Sequence, residues 1–318
     1  MLPYLARRLP TAALTVILTS IVVFLLVGLL PGSPASVILG EQADPAAVAA
    51  LEERMGLDQP LLWQYTDWAY GLVTGDLGTS YISGAPIVET LGAAAGATVE
   101  LALASLVVTA ITGAIFGIAA ATVRRRVPQA LLRGASALIF GVPEYVLGIL
   151  LILLFGITVR LLPAGGREPL LADPEIGIQY LAMPAIALGL HSGVVVGRFL
   201  ETELRRQLEE EYLDTAYAKG VSSRRVLWRH ALPNALPPVV TVMGVRVGHL
   251  LGGAVVIEAV FAWPGLGQVL ANAVANHDYL IIQDLVVYFV VVFIAVQLVS
   301  DLIHAALDPR VRLEGEAS

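Results

Sequence analysis

Six stretches of the 318-residue chain are long and apolar enough to cross a bilayer. About 20 mostly apolar residues in helical form cover the roughly 30 Å of hydrocarbon. Residues 9–30, 101–123, 134–159, 176–197, 235–262 and 280–300 all meet that length. The first, second and fourth carry no charged residue; the third holds Glu144, the fifth Arg246 and Glu258, and the sixth Asp284 near its start. Lipid cannot satisfy exposed backbone groups, so each stretch is predicted to be a helix, and the alternation of barrel strands is not seen. The expected fold class is an all-α integral membrane protein with six transmembrane helices.

Composition sharpens this picture. Hydrophobic types make up 57% of the residues and charged types 14%, against about 25% charged in an average soluble domain. Such a surface does not suit a cytosolic enzyme. The net charge of −7 offers phosphate backbones no attraction, so lipid and not nucleic acid is the expected surrounding. With no cysteine there can be no disulfide, thiolate metal site or thiol nucleophile. Thirty glycines and 18 prolines argue against a coiled coil.

Basic residues set the expected orientation. Arg7 and Arg8, the group Arg124, Arg125, Arg126 and Arg133, the seven bases between Arg198 and Arg229, and Arg310 with Arg312 all fall on one side. The opposite side keeps Arg54, Arg160 and Arg167. Both termini are therefore expected in the cytoplasm. The first apolar run exceeds the 7–15 residues of a signal peptide and no small-residue cleavage site follows promptly, so it reads as a retained signal anchor.

Two connections between spans are large. The external one, residues 31–96, carries eight acids against the single base Arg54. Asp44 stands where an N-cap belongs, Pro45 suits the first helical position, and Gly56 can stop the helix in the left-handed region. A second helix is predicted to begin near Asp58–Pro60, with Leu61, Leu62, Tyr65, Trp68, Ala69 and Leu72 at helical spacing. Trp63, Tyr65, Trp68 and Tyr70 are of the types that settle at headgroup level. Two readings stay open: a helical pair lying on the membrane, or a docking surface for an external protein that would use Trp63, Trp68 and Asp76.

The cytoplasmic connection, residues 198–234, holds seven bases and six acids. It predicts a helical run over 201–211, a short segment over 212–219 closing at Gly220, and a helix capped by Ser222 or Ser223 that Pro233 and then Pro237 and Pro238 break. The short segment presents Tyr212, Leu213, Ala216 and Tyr217, and its apolar side needs a partner to cover it; charge patterning alone would make the segment a solvated face.

At these residues the chain resembles the permease subunits of the binding-protein-dependent ABC importers. Their signature in this loop is Glu-Ala-Ala, three residues, Gly, nine residues, then Ile-x-Leu-Pro. Asp214-Thr215-Ala216, Gly220 and His230-Ala231-Leu232-Pro233 fall at that spacing, with Asp, Thr and His as departures. Thr215 to Gly220 with His230 to Ala235 resembles the oligopeptide/dipeptide/nickel branch. Further agreement comes from Leu30-Pro31-Gly32, Gly56-Leu57-Asp58-Gln59-Pro60, Gly75-Asp76-Leu77-Gly78, the run from Glu258 to Gly267, and Leu307-Asp308-Pro309-Arg310. The long external segment is similar to that of the first of the two permeases in such systems.

The resemblance implies the type I importer permease fold, a homologous second permease subunit, two ATPase subunits and an external substrate-binding protein, in the inner membrane of a bacterium. It implies that Asp214, Thr215, Ala216, Lys219 and Gly220 couple to an ATPase. It divides the chain into an anchor with external loop (1–96), a transport core (97–306) containing the 198–234 loop, and a cytoplasmic tail (307–318).

The chain's own chemistry is sparse. No phosphate loop of the form Gly, four residues, Gly-Lys-Ser/Thr occurs, so ATP and magnesium belong on partner subunits and this chain is expected to carry no cofactor. His191 and Ser192 read as helix-packing residues, and no histidine pair has metal-ligand spacing. Catalysis and a metal site are not expected. Charged groups inside spans are costly and face a bundle interior or a wet cavity. Glu144, Arg246 and Glu258 are accordingly candidates for the substrate pathway, with an interhelical ion pair or hydrogen bond as the alternative for Glu258. Glu144 would favour cationic groups such as a peptide amine. Di- or oligopeptides are the expected cargo, with nickel, glutathione or oligosaccharide as alternatives in the same family. An ion-coupled secondary transporter is the reading from another class; it predicts inverted repeats, which are not seen.

Overall fold

Backbone geometry at Pro143 sets the first departure from the hydropathy pattern. The structure, a computed structural model, describes residues 2–29, 33–40, 43–123 and 125–307. Leu30-Pro31-Gly32, Glu41, Arg124 and the tail from Asp308, with Arg310 and Arg312, lie outside the described residues. Five helices are each long and apolar enough to span: Arg8–Gly28, Ile87–Thr122, Pro174–Leu208, Ser223–Val260 and Tyr279–Val299. The span expected at 134–159 is not one helix. It is α6 (Arg126–Gly141) and α7 (Glu144–Leu151), the latter continuing as a π-helical stretch, Ile152–Thr158, and the two limbs meet at 101°. Proline disfavours the helical region for the residue before it; Val142 is accordingly extended (φ −98°, ψ 123°) and Pro143 leads into α7. Counting the bent pair as one span gives six.

The chain divides into two compact units, Met1–Thr98 with Pro264–Ile294 and Val99–Trp263 with Ala295–Ser318. The first contains α1 (Leu2–Gly28), α2 (Pro34–Leu39), α3 (Pro45–Arg54), α4 (Leu61–Thr74), the start of α5 (Ile87–Thr122), α12 (Leu266–Ala275) and most of α13 (Tyr279–Leu307). The caps fall where the sequence places them. Asp44 Oδ1 accepts from Ala46 N at 3.1 Å, Pro45 opens α3, and Gly56 (φ 70°) follows its end. On α4, Tyr65 and Trp68 turn inward onto Phe24 of α1, with ring centroids 5.5 and 5.8 Å away. Val23, Val27, Ile87, Leu91, Leu266 and Leu285 centre this unit's apolar core.

The second unit holds the rest of α5, α6, α7, α8 (Pro174–Leu208), α9 (Glu211–Ala218), α10 (Ser223–Val226), a π-helical turn (Leu227–Ala231) and α11 (Leu232–Val260). Small residues let α5 and α8 approach closely. A Cβ on Gly193 would lie 2.6 Å from Thr112 Oγ1, and one on Gly117 would lie 2.8 Å from the Gly197 carbonyl oxygen. Thr109 Oγ1 bridges the same pair by donating to the Gly189 carbonyl at 3.1 Å.

The prolines do not break the helix after the short segment, contrary to expectation. Pro233, Pro237 and Pro238 all lie within α11. Pro233 occupies its first positions, where a missing N–H removes no intrahelical bond. Pro237 and Pro238 withhold the donors that the carbonyls of Pro233 and Asn234 would receive, a loss confined to the opening turns.

Candidate functional site

The 209–221 segment is anchored on one side and open on the other. Leu213 is 1% exposed and packs with Leu204 of α8, Val226 of α10 and Ala235 of α11, while Ala216 and Val221 pack against the same cluster. Leu213 and Ala216 are therefore covered by this chain's own helices and need no other protein, contrary to the expectation from the local pattern, while Tyr212 and Tyr217 stay exposed. Asp214, Thr215, Tyr217, Ala218 and Lys219 are exposed on the opposite side.

Glycine closes the segment. Gly220 adopts φ 78°, its N–H donates to the Tyr217 carbonyl at 2.9 Å, and the Val221 N–H donates to the Ala216 carbonyl at 3.1 Å. This paired pattern satisfies the last carbonyls of a helix and calls for a residue without a Cβ. Around it, Tyr212 Oη donates to Gln207 Oε1 and accepts from Asn234 Nδ2, both at 3.1 Å. Asn234 Nδ2 also reaches the His230 carbonyl at 2.9 Å. These bonds tie α9 to the end of α8 and the start of α11. Since α8 has 35 residues, it rises about 50 Å, well beyond the hydrocarbon thickness.

Glu144, Arg246 and Glu258 differ in their surroundings. Glu144 opens α7 half-buried, with its carboxylate lying against Gly253 of α11 and with His191 and His249 near enough to interact with it electrostatically. His191, read from sequence as a packing residue, also stacks on Phe140 at 5.4 Å; the Arg198 guanidinium lies 5.3 Å from the same ring and donates to Ser136 Oγ at 3.1 Å. Arg246 is half-buried and forms no ion pair among the described residues. Glu258 is fully buried next to Ile257 and Phe261. The three residues are thus not brought together as a set; the groups that act electrostatically on Glu144 are His191 and His249. Glu100 and Arg167 were not singled out by sequence, yet Arg167 Nε donates to Glu100 Oε2 at 2.8 Å and Leu170 N donates to Oε1 at 2.9 Å.

On α4 and the loop after it, Trp63 is 66% exposed and Asp76 is exposed, its Oδ1 accepting from Gly78 N at 3.1 Å. Trp68 points the other way, into its unit, where its indole Nε1 donates to Asp284 Oδ1 at 2.8 Å. Ser80 Oγ donates to Asp278 Oδ2, and burial with the carboxylates of Asp278 and Asp284 pushes the Tyr81 phenol above its usual range.

Two family models divide the chain between them. Residues 113–313 match the binding-protein-dependent transport system inner membrane component, and residues 1–102 match the N-terminal part of the same membrane components. The chain belongs to this family. The glutathione transport system permease protein GsiC of Salmonella typhimurium is 38% identical over 314 residues, covering 98% of this chain and 99% of that protein. Its counterpart in Escherichia coli is 37% identical over 312 residues with the same coverage. Among solved structures, an inward-facing MetNI methionine ABC transporter aligns with a TM-score of 0.56 at 17% identity, covering 70% of this chain and 98% of that one.

The permease therefore has the type I importer fold, with no strand among its described elements. It is a transport subunit and not an enzyme; ATP hydrolysis belongs to the ATPases of the importer, and substrate delivery to its binding protein. Both the family and the five apolar helices place it in the membrane.

Proposed function

We propose that this permease serves an ATP-driven importer of small peptides, with tripeptides of glutathione size among its cargo. The observation that carries the coupling half of this reading is α9: a short helix pinned to α8 and α11 behind, with an exposed face in front. A partner pressing on Asp214, Thr215, Ala218 and Lys219 moves two spanning helices with it, and the Gly220 turn keeps the helix end in register. In this reading the partner is one of two cytoplasmic ATPases, which alone bind ATP and magnesium, and a homologous second permease completes the pathway. Both termini lie in the cytoplasm, as the arginine distribution supports.

Residues 97–306 then form the transport core, with 1–96 as anchor and receiving surface. Trp63 and Asp76 offer the external binding protein an exposed contact, with Trp68 behind them as support. Glu144 and its histidine neighbours line the pathway, where a carboxylate favours the amino group of a peptide over a neutral cargo. Arg246 lies on the same helix as His249, nearly one turn away, and Glu258 holds the helix end in the protein interior. Ligands can drive the inward–outward switch only by binding its two states unequally, which is what ATP does through its subunits.

The test is ATPase activity of the whole complex in lipid, with its binding protein, across glutathione, dipeptides, longer peptides and Ni²⁺. Stimulation by glutathione or another peptide, lost in a Gly220→Pro complex that still assembles, supports cargo and coupling together. Stimulation by Ni²⁺ alone sinks the peptide cargo, and stimulation unchanged by Gly220→Pro sinks the coupling role.

A further inference from the structure

A cavity of about 520 Å³ lies within the first unit, between α1, α4, the Asp76–Gly78 turn and the start of α13. That volume suits a small ligand or one large side chain. Trp68, Tyr70 and Tyr279 supply aromatic walls, and Asp67 and Asp76 supply exposed carboxylates. No Lys, Arg or His is among its lining residues.

Two further features show that the cavity is more than an acidic rim. Gln283 lines it while only 9% exposed, and its side-chain amide has no hydrogen-bond partner among the described residues. Behind the wall lie Asp278 and Asp284, 3% and 1% exposed, and each keeps one oxygen, Oδ1 and Oδ2 respectively, without a partner. Asp284 is hydrogen-bonded to the Trp68 that forms the wall. Tyr81, also lining, feels both carboxylates. Buried polar groups are ordinarily hydrogen-bonded, and the exposed carboxylates of Asp67 and Asp76, with no base among the lining residues, attract a cation.

The kind of cation follows from the walls. Among the described residues no group of three or more His, Cys, Asp and Glu could hold a metal ion. Aromatic faces attract ammonium groups, as carboxylates and amide oxygens accept from them. We propose that this cavity binds an organic ammonium group, its N–H donors directed to Asp67, Asp76 or the Gln283 carbonyl and its hydrocarbon part resting on Trp68 and Tyr279. The group comes either from a free amine or from a lysine of a protein docked on this face. The proposal needs only this chain and holds whatever the importer's cargo.

The test uses the permease complex in lipid nanodiscs and n-butylammonium as probe, with 1-butanol and Ca²⁺ as controls, titrated by ligand-observed NMR. Butylammonium is expected to bind saturably and butanol not to. Asp67→Asn with Asp76→Asn should weaken binding at least tenfold; both positions are exposed, and an asparagine at 76 keeps the acceptor that caps Gly78. Gln283→Leu should weaken it severalfold, and Glu175→Gln, at an exposed position of the other unit, should leave it unchanged. Adding the binding protein, native or with acetylated lysines, distinguishes the sources: displacement by the native form alone assigns a lysine, and persistence assigns a free amine. No saturable binding, equal binding of butanol, unchanged affinity in the double variant, or tighter binding of Ca²⁺ at the same site would overturn the proposal.

Discussion

Trp68 Nε1 donates to Asp284 Oδ1 at 2.8 Å across 216 positions of sequence. The bond fastens α4, in the connection after the first span, to the last span, and it gives a nearly inaccessible carboxylate a donor while its other oxygen has none. Tyr65 repeats the attachment on the neighbouring turn, its hydroxyl 2.9 Å from Ser20 Oγ of α1. Through these contacts α4 is held against the first unit's own helices, and only its other side, with Trp63 and Tyr70, remains outward.

Removing that donor should therefore cost stability. Trp68→Phe keeps most of the ring but leaves the Asp284 carboxylate buried without it, at a cost of about 1–3 kcal/mol. The unfolding midpoint of the purified permease should fall by several degrees. Asp284→Asn, which retains an acceptor oxygen, should fall less, and adding it to Trp68→Phe should cost little more. Equal losses from the two single changes, adding in full, would contradict the bond's importance.

At Gly220 the expectation concerns conformation, because the left-handed backbone there disfavours any Cβ. Gly220→Ala should cost about 1–2 kcal/mol at the helix end and lower cargo-stimulated ATP hydrolysis severalfold in an assembled complex. Gly220→Asn should retain more of it, since Asn tolerates this region better. Space is not the constraint, as nothing lies within 4 Å of an added Cβ. Alanine and asparagine variants with the same activity as the parent would remove the glycine requirement.

Glu100 and Arg167 form a partly buried ion pair, with side chains 13% and 20% exposed. The arginine also lies 5.7 Å from the Trp263 ring, and Glu100 caps the Leu170 N–H. Arg167→Ala should destabilise by roughly 2–4 kcal/mol, because it strands a carboxylate away from water. Arg167→Lys should recover only part, having no guanidinium plane for the ring or second N–H for Oε2. Thermal unfolding of the two variants checks the order; a lysine variant as stable as the parent would refute it.

Local signals carried much of this fold. Asp44, Pro45 and Gly56 act within a turn of where they stand, and the spacing from Leu61 to Leu72 is local too, so the 45–54 and 61–74 helices are readable in place. Apolar length likewise located five spans. It failed at Pro143 because hydropathy measures length and not direction: the residues on both sides are apolar, and only the constraint on Val142 reveals the 101° turn. Pro237 and Pro238 misled in the opposite sense, since a membrane helix keeps its course through losses that would end a soluble one. The rest was long-range. The pattern of α9 found Leu213 and Ala216, but Tyr212 and Tyr217, expected with them, are exposed, and the cover from Leu204 and Ala235 lies too far along the chain to be read locally. No spacing rule joins Glu144 to His191 or to Gly253.

The Glu144–Gly253 contact gives a prediction that separates shape from charge. A Cβ on Gly253 would collide with Glu144 Oε1 and come within 2.8 Å of Leu188 Cδ1. Both atoms end side chains, and a Cβ at 253 must displace the two at once. Gly253→Ala should therefore cost about 1–3 kcal/mol through overpacking. Shortening the opposing side chain should restore the room: Glu144→Ala in the Gly253→Ala background should recover at least 1 kcal/mol, a coupling typical of residues in contact. Glu144→Gln keeps the volume and loses the charge, so in the same background it should recover little. The double-mutant cycle is read by thermal unfolding, with peptide-stimulated ATP hydrolysis in parallel. Rescue by glutamine equal to that by alanine would mean that charge, and not close packing, keeps position 253 without a side chain.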